Sequence, residues 1–163
     1  MLKLASSIQS DSIVDGEGLR AVIWCQGCDK GCKGCHNPGT WNPNAGEFVK
    51  VESIIIALSK LKGQRGITFS GGEPMLQPEA CKRIAEWAKR EKNWDIWCFS
   101  GYTYEEIKAE GGEKLEFLKY VDVLIDGKFE LSKKDISLRF KGSSNQRELR
   151  LDNGECNFAN FST

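Results

Sequence analysis

The sequence predicts an α/β fold in which parallel strands form a partial, open (β/α) barrel, and three observations carry that prediction. Apolar runs of strand length alternate with stretches of helical periodicity, an order that implies parallel strands joined by helical crossovers. The chain has 163 residues, far fewer than the roughly 250 of a closed eight-fold barrel. Polar, glycine-bearing loops follow the strands, which is where α/β folds gather ligands.

The elements follow in order. Gly18–Cys25 contains the apolar run Ala21–Trp24 and reads as a buried strand leading into a cysteine-rich loop. Val49–Lys62 places Val51, Ile54, Ile55, Leu58 and Leu61 at helical spacing, and Gly63 supplies a stop. Gly66–Ser70 is a second strand, ending in Gly71-Gly72-Glu73-Pro74, and Pro78–Glu91 repeats the helical pattern through Ile84, Ala85 and Ala88. Trp94–Ser100 is a third strand, after which Thr103 and Glu106 form a capping-box signature. Leu115, Phe117 and Leu118 suggest another helical piece, and Val121–Ile125 is a fourth strand ending at Asp126-Gly127. No repeat, low-complexity tract or Pro/Gly/Ser-rich linker divides the chain, so residues 1–163 are read as one domain. The cysteine loop, Gly71–Pro74, Ser100–Thr103 and Asp126-Gly127 all fall at carboxyl ends of strands and are expected to share one rim.

Composition narrows the function classes. Hydrophobic residues make up 40% and charged residues 28%, ordinary proportions for a globular protein. Lys plus Arg equals Asp plus Glu at 23 each, which removes the electrostatic argument for nucleic acid or an anionic membrane surface. No run approaches the roughly 18 apolar residues of a membrane span, and Met1–Ser10 lacks the apolar stretch of a signal peptide. The expectation is a cytoplasmic protein with no nucleic-acid or membrane partner.

Seven cysteines is an odd count, and four of them, Cys25, Cys28, Cys32 and Cys35, fall within eleven residues. A disulfide framework would spread its cysteines, because a bridge stabilises mainly by closing a sizeable loop. Clustering without a secretory signal points to metal or redox chemistry. Zinc modules usually set two Cys pairs about 15–20 residues apart. Here three residues separate Cys28 from Cys32 and two separate Cys32 from Cys35, which favours one loop wrapped around an iron–sulfur cluster over structural zinc. Gly27, Gly31 and Gly34 let that loop turn and aim amides at sulfur. Lys30 and Lys33 read as solvated surface lysines more than as counter-charges. His36, the only histidine, reads as a backbone-contact position, not a ligand, and Cys25 as a small buried hydrophobe more than a fourth ligand.

Cys28-x3-Cys32-x2-Cys35 and Gly71-Gly72-Glu73-Pro74 together resemble the two leading motifs of the radical S-adenosylmethionine superfamily. Within it, the chain is similar to the anaerobic ribonucleoside-triphosphate reductase activating proteins. The matching stretches are Val14–Arg20, Cys35–Trp41, Ser100–Thr103, Val123–Phe129 and Gly142–Gln146. Many superfamily members carry an aromatic residue just before the third cysteine, where this chain has Gly34; the activating proteins also tend to glycine there. The resemblance implies a partial barrel of the radical S-adenosylmethionine type. It implies a 4Fe-4S cluster on Cys28, Cys32 and Cys35 with one iron left open, and S-adenosyl-L-methionine as cosubstrate. The implied cosubstrate contacts are backbone at Gly34, Cys35 and His36, together with Gly71, Gly72 and Glu73. The partners it implies are the large subunit of the anaerobic reductase, which supplies a glycine, and a one-electron donor such as flavodoxin. Activation of another glycyl-radical enzyme such as pyruvate formate-lyase, or radical chemistry on a small molecule, is the alternative. A non-enzymatic iron–sulfur or zinc module fits less well, because it would need no Gly71–Pro74 motif.

Several residues stay open at this level. Asp15, Glu17 and Arg20 either contact a partner or cap a turn. Asp126 is either a polar contact or part of an Asp-Gly turn. Ser143–Gln146 touch cosubstrate or partner. Burial is the default for Cys81 and Cys98.

Overall fold

The computed structural model describes residues 1–158; the last five residues of the domain expected over 1–163 lie outside the described residues. The strands are β1 (Leu2–Leu4), β2 (Gln9–Ser12), β3 (Arg20–Cys25), β4 (Glu47–Val49), β5 (Gly66–Gly71), β6 (Asp95–Phe99), β7 (Val123–Asp126), β8 (Arg147–Asp152) and β9 (Glu155–Cys156). The α-helices are α1 (Val51–Ser59), α2 (Pro78–Trp87), α3 (Tyr104–Glu110) and α4 (Gly112–Leu118). One sheet runs in the order β4-β1-β3-β5-β6-β7-β8-β9, with β2 paired to β3 off that path. It is an open α/β sheet, as expected, with β4 and β9 at its two ends.

The four strands read from the sequence form the parallel centre. Arg20 stands opposite Gly66 and Cys25 opposite Gly71; Gly66 then stands opposite Asp95, and Trp97 opposite Val123. Strands in near-even register end together, which brings the loops after β3, β5, β6 and β7 to one rim. The flanking strands β1, β4, β8 and β9 are antiparallel.

Alternation along each strand sorts the side chains between two faces. Ala21, Ile23 and Cys25 of β3, Ile67 and Phe69 of β5, Ile96 and Cys98 of β6 and Leu124 of β7 pack with Ile54 and Leu58 of α1, Ile84 and Ala85 of α2, Ile107 of α3 and Phe117 of α4. That apolar stripe is why these helical segments are amphipathic. The alternate residues Trp97, Val123 and Ile125 form a separate, smaller cluster with Phe99 and Phe140.

Helix ends obey local chemistry. Thr103 Oγ1 accepts from the Glu106 N–H (3.1 Å) and Glu106 Oε1 accepts from the Thr103 N–H (3.3 Å), the expected capping box. The helix expected over Pro78–Glu91 is α-helical only to Trp87; its last turn widens to π geometry over Ala88–Lys92 and stops at Asn93, which is left-handed (φ 54°). No helix among the described residues is long and apolar enough to cross a membrane.

Candidate functional site

The loop after β3 is pinned at its base. The Gly27 N–H donates to Thr40 O (2.6 Å), the Cys28 N–H donates to Trp41 O (3.1 Å), and Gln26 Nε2 donates to Gly39 O and Asn42 O (3.1 and 2.8 Å). These bonds close residues 26–42 into a compact loop. Within it the Lys30 N–H donates to Cys28 Sγ and the Asn37 N–H donates to Cys35 Sγ, both at 3.4 Å. Amide donors on sulfur of this kind stabilise thiolate ligands of a cluster. Burial pushes the Cys28 thiol up from its ordinary range.

Cys28, Cys32 and Cys35 border one cleft together with Gly71, Gly72, Glu73, Ser100 and Gly101. Among the described residues, no three His, Cys, Asp or Glu side chains close on a single point as ligands of one ion. The three thiols instead share a cleft wall, and all seven cysteines are free. Soft sulfur donors, amide hydrogen bonds to two of them and an adjoining cleft fit an iron–sulfur cluster with space beside it. Cys25 is fully buried at the end of β3, in the core cluster that also holds Cys81 of α2 on the helix side of the sheet. It packs in the core and does not border the cleft of the three loop cysteines, as a small core hydrophobe does.

The two glycines after β5 are required by backbone. A Cβ on Gly71, which has φ +99°, would lie 2.5 Å from Cys25 O, and one on Gly72 would lie 2.3 Å from Gly27 O. The Gly72 N–H donates to Cys25 O (2.8 Å) and the Glu73 N–H to Gly27 O (2.7 Å), so this turn is stitched to the root of the cysteine loop. The Glu73 carboxylate is buried. Its Oε2 accepts from the Met75 N–H and Ser100 Oγ (2.9 Å each), and its Oε1 accepts from the Gly101 N–H (2.6 Å). Burial raises its pKa to about 7 against the pull of those three donors. Glu73 therefore joins the loops after β5 and β6, and the lone pairs that remain on it edge the cleft.

Lys30 departs from the surface reading. Its side chain is 11% exposed, its ammonium sits 3.5 Å from the centroid of the Tyr102 ring, and the Tyr102 hydroxyl donates to Asp29 (2.9 Å). Burial and the Asp29 carboxylate hold the Tyr102 hydroxyl well above its ordinary range. Lys33 is exposed, as expected.

The loop after β7 supplies a wall that the sequence did not reveal. Asp126 is buried and accepts from the Tyr104 N–H (2.7 Å) and from Arg147 Nε (2.9 Å), so it ties the start of α3 to β8. Residues 127–146 then fold back on themselves. Gln146 Oε1 accepts from the Gly142 and Ser143 N–H groups (2.8 and 3.2 Å), and its Nε2 donates to Gly127 O (3.0 Å). Asn145 Nδ2 donates to Lys128 O (2.7 Å), and Ser143 Oγ donates to Asn145 Oδ1 (2.6 Å). Gly142–Gln146 is thus a clasp, and it presents Phe129 and Leu131 to the cysteine loop. Phe129 borders the cleft and meets the His36 ring (centroids 5.6 Å apart); Gly34 and His36 stand against Phe129 and do not themselves border the cleft. The signal for Phe129 lay in the Val123–Phe129 stretch, but periodicity gives no direction to a residue beyond a strand end.

Asp15, Glu17 and Arg20 lie at the amino ends of the strands, away from the cleft. Arg20 is fully buried, ion-paired to Asp95 (2.7 Å), and donates to Thr68 Oγ1 (2.8 Å), Ile67 O (2.9 Å) and Glu17 O (2.9 Å). Thr68 Oγ1 in turn donates to Asp15 O (2.6 Å).

Residues 14–149 match a family model described as a 4Fe-4S single cluster domain. Curated relatives named anaerobic ribonucleoside-triphosphate reductase-activating protein align over most of the chain. That of Pasteurella multocida is 39% identical over 142 residues, covering 82% of this chain and 89% of that protein. That of Enterobacteria phage T4 is 38% identical over 139 residues (82% and 85%), and that of Escherichia coli K12 is 37% identical over 142 residues (82% and 90%). Among solved structures, QueE from Escherichia coli superposes with a TM-score of 0.51 at 13% identity, covering 77% of this chain and 71% of that one; the likeness is one of fold.

Proposed function

The chain belongs to the anaerobic ribonucleoside-triphosphate reductase-activating proteins, and from that premise we propose that it is a glycyl-radical activase, a single domain over 1–163 working in the cytoplasm. The observation that supports this reading most is the convergence of Cys28, Cys32 and Cys35 with Gly71–Glu73 on one cleft at the carboxyl ends of the parallel strands. Cys28, Cys32 and Cys35 are the proposed ligands of a 4Fe-4S cluster. When bound, that cluster supplies the electron that splits S-adenosylmethionine into methionine and a 5′-deoxyadenosyl radical, which takes a hydrogen atom from a glycine of the large reductase subunit.

The protein's own residues bind and orient. The loop glycines keep the turn after β5 against the root of the cysteine loop, so ligand wall and cosubstrate wall form one unit. Glu73 holds the Ser100 hydroxyl and the Gly101 N–H beside the cleft and is the acidic residue of the cleft lining, available to the cationic amino group of the cosubstrate. Gly34, Cys35 and His36 are the backbone expected beside the nucleoside. A one-electron donor such as flavodoxin completes the reaction.

The test mixes the reduced protein, S-adenosylmethionine and the cognate large subunit without oxygen. A persistent doublet EPR signal should form on the reductase, with methionine and 5′-deoxyadenosine as products, and alanine at the reductase's radical glycine should abolish it. Consumption of S-adenosylmethionine with no radical on the reductase, but with one on a different glycyl-radical enzyme or turnover of a small metabolite, would overturn this reading.

A further inference from the structure

Phe129 occupies a slot made by two glycines. A Cβ on Gly34 would lie 3.3 Å from Phe129 Cε1 and 2.9 Å from Leu131 Cδ1, and a Cβ on Gly142 would lie 2.9 and 3.2 Å from Phe129 Cδ2 and Cε2. The two glycines meet opposite edges of the ring, one from the cysteine loop and one from the clasp, so the ring's rotation is fixed from both sides. Gly34 is itself left-handed (φ +79°), which disfavours a side chain there for a second, independent reason. His36 adds a third contact at 58° to the ring plane. Thus fixed, the half-buried ring still borders the cleft that holds the three cysteines. From a distant loop it fills the space that a large side chain at position 34 would claim.

Such an arrangement exceeds what packing requires. A core phenylalanine is surrounded by apolar side chains, whereas Phe129 is held at its edges by backbone and keeps surface toward the cleft of the three cysteines. The other aromatic ring on the cleft wall, Phe99, packs into the cluster of Trp97, Val123 and Ile125. A purine entering the cleft beside the cysteine loop has Phe129 as its aromatic neighbour, and an aromatic face is the surface on which a base gains most by stacking.

Resting on the proposed use of S-adenosylmethionine, we infer that Phe129 is the base-binding residue of this site, the adenine of the cosubstrate lying against its ring. Gly34 and Gly142 are glycine so that this ring can stand there, and the Gln146 clasp is its mount.

The experiment uses anaerobically reconstituted full-length protein, with S-adenosylmethionine affinity read by equilibrium dialysis, and iron content and thermal midpoint as controls. F129A should weaken S-adenosylmethionine binding roughly 5- to 150-fold, the usual range for losing a stacked base. F129L, which keeps apolar bulk without a π face, should also weaken it, and F129Y should stay within about twofold of wild type. Iron content should be unchanged in all three. S-adenosylhomocysteine, which retains the adenine, should show the same ordering. Methionine, which lacks it, should perturb the cluster EPR signal equally in all four proteins. Wild-type affinity in F129A and F129L, or parallel loss of methionine response, would overturn the inference while leaving the activase reading in place. Absence of S-adenosylmethionine binding to the wild type would overturn the activase reading itself.

Discussion

Alanine at Cys28, Cys32 or Cys35 removes one thiolate from the cleft wall and should abolish a stable four-iron cluster, whereas Cys25→Ala should keep iron content near wild type and cost only packing. Iron and sulfide analysis after anaerobic reconstitution decides this, since equal loss in Cys25→Ala would make Cys25 a ligand. Glu73 makes a different prediction. Its folded pKa, about 7, lies above the ordinary carboxylate value because burial disfavours the charge. Between the unfolded and folded values the native state holds the extra proton, so stability is fully present below about pH 4.5 and falls as pH rises through 7. The thermal midpoint of the cluster-free protein should therefore decline over that window, and Glu73→Gln should flatten the decline; an equal slope in both would assign it to another group. The cysteine triplet was legible in the sequence because thiolate chemistry constrains spacing. The burial of Lys30 was not, since its place is set by the Tyr102 ring 72 residues further along, which no local pattern reports.

The Gly71–Glu73 turn shows how an element can be read correctly for an incomplete reason. Its glycines suggest close approach by a ligand, yet the nearest atoms to a Cβ at Gly72 belong to the backbone of Gly27. Gly72→Val should consequently displace the cysteine loop and lower iron content together with cosubstrate affinity, and full iron loading in that variant would contradict the coupling. The four central strands and α1, α2 and α4 were readable from their apolar residues, and α3 from the Thr103–Glu106 capping box. The edges were not: β1, β4 and β9 have three, three and two residues, and β2 reads Gln-Ser-Asp-Ser, too short or too polar for a pattern. β8 does alternate, with Leu149 and Leu151 buried between charged neighbours, and could have been found. The clasp matches a family stretch, but its sequence alone gives it no role, because its partners, Gly127 and Lys128, belong to the far end of its own loop.

At the scale of the molecule, the two ends of the parallel sheet do different work. Arg20 joins β3, β5 and β6 at their amino ends, with Asp95 as counter-ion and the Trp97 ring 5.5 Å from its guanidinium. Arg20→Ala removes the donor to Thr68 Oγ1, Ile67 O and Asp95 O and leaves Asp95, itself partly exposed, with only the longer contact to Arg65 (3.6 Å). It should cost about 2–3 kcal/mol of stability, less than for a fully buried pair. Denaturant unfolding measures that loss, and the folded fraction should still bind iron, because the cysteine rim lies at the opposite strand ends. Cys25, Cys81 and Cys98 give this architecture a built-in stopwatch. They sit on β3, α2 and β6, all with zero exposure, while Cys28, Cys32, Cys35 and Cys156 are partly open. A thiol reagent meeting the cluster-free protein reaches four sulfurs from solvent and the other three only when sheet and helix separate, so the slow phase of labelling times the opening of the core.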